Sequence, residues 1–403
     1  MSFPEPEILN SLVARIFRID DVTTGDPQKG WIVRYRGHLL DGDSAAAYDL
    51  LADSLRAHGL TPLFRKEGEN HIIFLAPSAP EVKAKLPTTN IVLFIITVFS
   101  VMLTAAEPSR PYPTDPNDIL GAMLVALETI FTGKVFTGWP FALSLLGILL
   151  AHEFGHYLMS RRHKTAATLP YFIPLPFSLL GTMGAFIQMQ AIPKNKRVLF
   201  DIGVAGPLAG MVIAIPVLFL GLTMSELGSV LPDPNGFLEG NSLLYLLAKY
   251  IVFGQFLPAP PDLSGLPLLQ HWLQYFFTGK PVPFGGVDVF IHPVALAGWA
   301  GLLVTALNLI PVGTLDGGHI TYAMFGDKIR KAYPFILGVL AAMGFVWSTW
   351  WFWAALLFFL GRVHAEPLDL ITELDPRRRA VGALAIVIFI LVFSPVPMVF
   401  LGQ

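Results

Sequence analysis

The sequence predicts a polytopic α-helical membrane protein with a small N-terminal α+β soluble domain. Of its 403 residues, 54% are hydrophobic and only 14% are charged, whereas about a quarter of an ordinary soluble domain is charged. The charges are also unevenly distributed, because residues 1–85 hold 22 of the 56 acidic and basic side chains. We therefore divide the chain into a soluble domain at 1–86 and a transmembrane domain at 87–403.

Composition also limits the partners and the chemistry. A formal charge of −2 and the lack of a basic stripe argue against nucleic acid as a partner. With no cysteine, the chain has no disulfide, no thiolate metal ligand and no thiol nucleophile. The mean hydropathy of +0.60 makes the lipid bilayer the expected surroundings of most of the chain.

The N-terminal segment reads as a β-β-α-β-β domain. Alternating apolar residues predict strands at 13–19, 31–35, 62–65 and 72–75, and a helical pattern covers 43–58. We find no cluster of metal ligands and no nucleotide-binding loop in it. We therefore interpret it as a regulatory or docking module.

Apolar stretches of differing length follow. Spans are predicted at 90–106, 139–160, 198–222, 292–310 and 380–396, with a partial or interfacial helix at 119–131. The stretch 333–361 would be about 43 Å long as one helix, too long for a hydrocarbon core of about 30 Å, so a helical hairpin with a Trp-rich turn is expected. Residues 243–257 and 266–277 are too short for clear spans, and we expect them to cap the outer face without crossing.

The span at 139–160 contains His152-Glu153-Phe154-Gly155-His156. Two histidines four residues apart lie on one face of a helix, which suits two imidazole nitrogens converging on a tetrahedral Zn²⁺. Glu153 is next to a ligand, so its carboxylate can reach a water at the metal without binding the metal itself. Ionisable side chains in the middle of a span are costly, so we expect a functional metal site.

A second motif runs from Asn308 through Pro311 to Asp316-Gly317-Gly318-His319. Pro311 removes a helical hydrogen bond and the glycines permit tight turns, so the helix should unwind there and turn Asp316 inward. Asp316 is then the candidate third metal ligand, although it would also serve as a cap of the following helix. Asn308 is a candidate for contacting the substrate or an oxyanion, and a helix contact is the alternative.

Residues 169–192 are apolar but interrupted by three prolines, Gly181 and Gly184, so a continuous helix is not expected. Irregular backbone at membrane depth is tolerated only when it is buried in protein or lines a wet cavity. We therefore predict a re-entrant loop beside the metal, with an extended edge at 183–189 and Gly184 as a second candidate substrate contact. In the next span, Gly206 and Gly210 form a small-residue face that we attribute to helix packing.

Charge predicts the orientation. Basic clusters at 83–85, 161–164, 194–197, 328–331 and 377–379 can share one side of the membrane, with acidic loops at 107–118 and 225–241 on the other. By the positive-inside rule, the basic side and the N-terminal domain are cytoplasmic. A bacterial cytoplasmic membrane is the expected location.

The paired motifs resemble those of the site-2 protease family of intramembrane zinc metalloproteases. His152 to His156 matches its HExxH, and Asn308 to Pro311 with Leu315-Asp316-Gly317 matches its Asn-Pro-Asp-Gly motif. Residues 292–319 look like the chloroplast and bacterial branch with a soluble N-terminal domain. That branch often has Gly-Asn-Leu-Arg in this domain, and this chain has Gly37-His38-Leu39-Leu40.

The resemblance covers about 139–325, which we take as the core of the protease domain. It implies hydrolysis of a peptide bond in or near a transmembrane segment of a membrane-embedded protein substrate. Zn²⁺ would be held by His152, His156 and Asp316, and zinc-bound water would be activated by Glu153. A membrane transporter should show repeated halves, which we do not find, and a non-catalytic binding protein should lack a ligand or the glutamate. The oligomeric state cannot be read from the sequence.

Overall fold

The structure is a computed structural model that describes residues 5–25, 30–78, 87–113, 118–233, 236–261, 268–361 and 366–402. The chain is mostly helical in these ranges, with a small antiparallel sheet near the N-terminus and three short two-stranded sheets. The predicted basic cluster at 83–85 and the domain boundary at 86 lie outside the described residues.

The N-terminal segment forms a four-stranded antiparallel sheet in the order β1-β2-β4-β3 with two helices. Its elements are α1 (Pro6–Ala14), β1 (Phe17–Thr24), β2 (Val33–Leu39), α2 (Ser44–Arg56), β3 (Leu60–Glu67) and β4 (Asn70–Pro77). The prediction of a strand beginning at 13 was wrong, because Val13 belongs to α1 and the strand begins at Phe17. Leu9 and Val13, four residues apart, are both buried against the sheet, which is a helical spacing.

The middle of the chain has helices where spans were predicted and a broken segment between two of them. It comprises α3 (Thr88–Thr104), α4 (Ile119–Phe131), α5 (Trp139–Arg162), β5 (Tyr171–Pro174), β6 (Thr182–Phe186), α6 (Lys196–Thr223), β7 (Glu226–Ser229) and β8 (Phe237–Glu239). Residues 134–162 and Lys196–Thr223 are long and apolar enough to cross a membrane by length and composition. Between them, β5 and β6 form an antiparallel hairpin in place of a helix.

The remaining elements follow the same pattern of apolar helices and short connections. They are α7 (Leu243–Phe253), α8 (Leu268–Thr278), β9 (Val287–Phe290), α9 (Pro293–Asn308), α10 (Asp316–Phe325), α11 (Asp327–Met343), α12 (Thr349–Leu360), α13 (Pro376–Val392) and β10 (Met398–Phe400). The 333–361 stretch is two helices, as its length predicted. At 1.5 Å per residue, α7 and α8 are each about 16 Å long, about half of a hydrocarbon core.

The core of the helical part is the packing of α5, α6 and α9. Their facing positions are buried and include Leu145, Ala214 and Ala300. Gly298 of α9 allows the close approach, because a Cβ atom there would lie 2.6 Å from the Leu218 Cα atom on α6. Small residues at such contacts bring helix backbones close together, as is typical of membrane proteins.

A buried charge cluster joins α7 to the strands beside it. The Lys249 Nζ atom lies 3.1 Å from the Glu239 carboxylate and 3.2 Å from that of Asp288. The Tyr245 hydroxyl donates to Glu239 over 2.7 Å, and Lys249 lies 4.5 Å from the centre of the Tyr245 ring. This fully buried lysine therefore holds two strands against the helix.

Candidate metal centre

Helix α5 carries the first part of the site. Pro140 lies in its first turn, where a missing N–H costs nothing, and Arg161 and Arg162 lie in its last turn, where cations are favourable. Between these ends, His152 and His156 are buried on the face that packs against α6. Their ring centres are 4.9 Å apart, as expected for residues one helical turn apart.

The turn between α9 and α10 brings the second part of the site to these rings. Helix α9 ends at Asn308, and Gly313 has a positive φ of 57°. Gly317 packs so tightly that a Cβ atom would lie 2.0 Å from the Leu309 carbonyl oxygen. This tight reversal places Asp316 in the first turn of α10, and its carboxylate faces both histidines. The N-cap residue of α10 is Leu315, so capping does not explain Asp316.

His152, His156 and Asp316 are the one group in the described part of the chain with metal-ligand geometry. The two Nε2 atoms are 3.1 Å apart. The Oδ2 atom of Asp316 lies 3.1 Å from the His152 Nε2 atom, and its Oδ1 atom lies 3.3 Å from the His156 Nε2 atom. A tetrahedral zinc ion with bonds of 2.0–2.1 Å has ligand atoms about 3.3 Å apart. The two imidazole nitrogens and the Asp316 carboxylate are therefore close enough together to hold one zinc ion.

The His156 ring is oriented by helix α6. Its Nδ1 atom donates to the Ile202 carbonyl oxygen over 2.7 Å, which fixes the ring so that Nε2 faces His152 and Asp316. Gly206 makes room for this ring, since a Cβ atom there would lie 2.0 Å from the His156 Nε2 atom. Gly210 faces His152 in the same way at 3.3 Å. The small-residue face of α6 thus packs directly on the two histidines. The spacing of Gly206 and Gly210 predicts close helix packing but does not identify the residues that pack there.

Glu153 lies beside His152, His156 and Asp316 but is not part of that group. It is only 5% exposed, and its carboxylate lies close to the backbone of Ile187, just after β6. The irregular strand that follows β6 pairs on one side with 166–168, because Gln190 donates to the Ala166 carbonyl and Thr168 donates to that of Gln188. The backbone groups of Met189 therefore point to the opposite side.

That opposite side is a cavity of about 970 Å³ that is also lined by His152, His156 and Asp316. Its wall includes residues 185–193, which overlap the predicted edge at 183–189, together with Asn308 and His319. The Asn308 amide nitrogen is 3.4 Å from the His152 Nε2 atom, so this side chain is at the site. Asn308 therefore contacts a histidine of the HExxH motif and lines the cavity, whereas a residue that served only helix packing would do neither.

Gly184 is placed differently. It has a φ of 107° at an irregularity in the β5–β6 pairing, and its backbone N–H donates to the Thr182 hydroxyl over 3.0 Å. It is not among the residues that line the cavity. The structure therefore brings five of the six predicted site residues together and leaves Gly184 at a bend in the hairpin.

The fold and the site together define a mostly helical protein with two helices long and apolar enough to cross a membrane and a buried centre of two histidines and a carboxylate. The model of Peptidase family M50 matches residues 140–349, just over half of the chain. The chain belongs to Peptidase family M50, and the resemblance to site-2 proteases is confirmed.

Curated relatives point to the same family. The chain is 30% identical over 338 residues to "Probable zinc metalloprotease EGY1, chloroplastic" of Oryza sativa subsp. japonica, and the matched region covers 79% of this chain and 52% of the relative. It is 28% identical over 336 residues to the protein of the same name from Arabidopsis thaliana, with 78% and 55% covered. "Probable zinc metalloprotease EGY2, chloroplastic" of Oryza sativa subsp. indica is 28% identical over 407 residues, with 97% and 67% covered. The chain spans about half the length of the two EGY1 relatives.

Proposed function

We propose that this protein is a zinc-dependent intramembrane endopeptidase that cleaves a peptide bond in or near a transmembrane segment of a membrane protein. The observation that carries the proposal is the convergence of His152, His156 and Asp316 on one point, with Glu153 beside them in the same cavity. Membership of Peptidase family M50 and the names of the relatives support it.

The ligands are assigned as His152, His156 and Asp316, and the general base as Glu153. When bound, the zinc ion acts as a Lewis acid that makes water more acidic and polarises the scissile carbonyl. Glu153 accepts a proton from the attacking water as the oxygen bonds to the carbonyl carbon. It then returns the proton to the amide nitrogen as the carbon–nitrogen bond breaks. The Asn308 amide donates a hydrogen bond to the substrate carbonyl.

The substrate is held as an added strand on the edge at 185–191. Backbone groups of Ile187 and Met189 point away from 166–168 and toward the cavity, so an extended peptide can pair with them as it passes the metal ligands. A helical substrate must unwind first, because its carbonyls are already hydrogen-bonded. Helix-breaking residues near the cut should therefore speed cleavage, and insensitivity to their placement would contradict this binding mode.

The proposed arrangement is a multi-pass protein of a bacterial cytoplasmic membrane, with residues 1–86 as a cytoplasmic domain. The basic residues at 161–164, 194–197 and 377–379 support this orientation, as they lie at helix ends. The N-terminal domain contacts the same side, because Asp49 pairs with Lys194. The short helices α7 and α8 support a cap that does not cross.

The test is cleavage of a panel of candidate membrane substrates by the purified, zinc-loaded protein. We expect Glu153→Gln to lose about 10² to 10⁴ in rate, the usual contribution of a general base. The matched control is Glu128→Gln, which changes an exposed residue of α4 that pairs with Arg110 and should cleave like wild type. Equal cleavage by Glu153→Gln would contradict the proposal.

A further inference from the structure

An irregular segment at 366–372, between α12 and α13, joins the N-terminal domain to the helical part of the chain. On one side it pairs with strand β3: the Phe64 N–H donates to the Leu368 carbonyl over 2.9 Å, and the Leu370 N–H donates to that of Phe64 over 3.1 Å. Leu368 and Ile371 also pack on the buried core of the N-terminal domain. The segment therefore belongs to that domain structurally, although it is about 300 residues distant in sequence.

The other side of the same segment pairs with residues 193–195. The Leu368 N–H donates to the Pro193 carbonyl over 3.1 Å, and the Asp369 N–H donates to that of Lys194 over 2.8 Å. Asp369 forms parallel bridges with both Phe64 and Asn195. Backbone hydrogen bonds thus run without a break from β3 through 366–372 to 193–195.

Asp369 stabilises the middle of this arrangement. It is fully buried, and its carboxylate accepts from the N–H groups of Ile371 over 2.8 Å and Thr372 over 3.2 Å, and from the Thr372 hydroxyl. The Thr372 hydroxyl is in turn 2.8 Å from that of Ser44, at the start of α2. A buried carboxylate with all these partners fixes the shape of the segment.

Residues 193–195 continue directly from the edge that lines the cavity. Ile192, Pro193 and Glu366 all line the cavity. At the next residue, Lys194 pairs with Asp49 and lies 5.9 Å from the centre of the Tyr48 ring. Beyond that, Asn195 caps helix α6, which orients His156. The N-terminal domain therefore contacts the chain at 193–195, between the edge at 185–191 and helix α6.

We infer that the N-terminal domain is a clamp that holds the edge at 185–191 in position for the substrate, with Asp369 as the positioning residue of the clamp. The inference rests on the proposed function for the role of the edge. Within the described residues the edge is paired on one side only. Its far end therefore needs a fixed point if its other backbone groups are to stay at a constant distance from Glu153. The clamp supplies that fixed point.

The test compares Asp369→Ala with wild type in the zinc-loaded full chain. We expect faster amide hydrogen exchange at residues 187–195 and a KM raised by about 5- to 30-fold, with kcat and zinc content unchanged. Asp369→Asn keeps one acceptor oxygen for the backbone N–H groups and should recover part of the loss. Asp53→Ala, which removes an exposed carboxylate of the same domain paired with Arg56, should change neither quantity.

A disulfide provides a rescue, because the chain contains no cysteine of its own. Ser44→Cys with Thr372→Cys joins two positions whose side-chain oxygens are 2.8 Å apart across the clamp. Thr61→Cys with Ser78→Cys joins a pair at the same 2.8 Å within the N-terminal domain. Added to Asp369→Ala and oxidised, the first pair should restore KM and exchange protection, and the second pair should not.

Three results would overturn the clamp. The first is wild-type hydrogen exchange and KM in Asp369→Ala, and the second is equal rescue by both cysteine pairs. The third is loss of turnover when the first pair is oxidised in the wild-type background, because the N-terminal domain would then have to move away from 366–372 during turnover. Hydrogen exchange is measured without any substrate. A chain that cleaves nothing would therefore refute the proposed function, while the exchange result still decides whether the clamp exists.

Discussion

Gly206→Ala tests how closely the metal site depends on the packing of α5 against α6. An added Cβ atom would lie 2.0 Å from the His156 Nε2 atom and 2.4 Å from its Cε1 atom, whereas ordinary van der Waals contact begins at 3.4 Å. The ring must therefore move by roughly 1.4 Å. The ring is also tied to the same face of α6 by the 2.7 Å hydrogen bond to the Ile202 carbonyl, and a shift of this size away from the helix would break that bond.

The size of this shift determines the expected result. Metal ligands tolerate about 0.2 Å of error in bond length, so His156 should cease to bind zinc. We expect the zinc content to fall from about one ion per chain to near zero, with loss of cleavage. Overpacking should also lower the free energy of unfolding by about 1–3 kcal/mol.

Two other glycines complete the series. Gly147 of α5 has no atom within 4 Å of an added Cβ atom, so Gly147→Ala should keep zinc and gain up to about 1 kcal/mol of stability from helix propensity. Gly210→Ala, with a nearest contact of 3.3 Å to His152, should fall between them. The assay is elemental analysis with thermal unfolding of each purified variant. Full zinc and wild-type stability in Gly206→Ala would refute the reasoning.

Three further predictions concern other parts of the molecule. Asn308→Ala should retain zinc but cleave about 10²- to 10³-fold more slowly, as for the loss of an oxyanion donor; zinc loss on elemental analysis would instead make it a structural residue. Lys249→Ala should lower the free energy of unfolding by about 3–5 kcal/mol, because two buried carboxylates lose their cation, whereas the exposed Lys280→Ala should have little effect in the same unfolding assay. Reporter fusions after Lys164 and Lys331 should both report the cytoplasmic side, and an external signal at Lys164 would reverse the topology.

The parts that could be predicted from sequence are those with a strong local signal. The spacing of His152 and His156 placed two rings on one helix face, and Pro311 with Gly317 indicated the turn that carries Asp316 inward. The three prolines and two glycines of 169–192 indicated broken backbone, and the hairpin of β5 and β6 is what replaces a helix there. In each case, short-range backbone chemistry decides the structure.

The parts that could not be predicted depend on contacts between distant residues. Val13 alternates with its neighbours as in a strand, but α1 forms because Leu9 and Val13 pack together on the sheet. The spacing of Gly206 and Gly210 predicts close packing, yet nothing in the sequence around Gly206 indicates that its neighbour is the His156 ring. The pairing of Phe64 with 368–370 joins segments about 300 residues apart, which no local pattern encodes.

Zinc content measured alongside cleavage tests most directly whether three residues hold the metal while Glu153 acts as the base. His152→Ala, His156→Ala and Asp316→Ala should each lose zinc and activity together, since a site with two protein ligands holds the ion weakly. Glu153→Gln should retain about one zinc ion per chain yet lose most of its turnover. If Asp316→Ala kept full zinc while Glu153→Gln lost it, the assignment of the third ligand and of the base would be wrong.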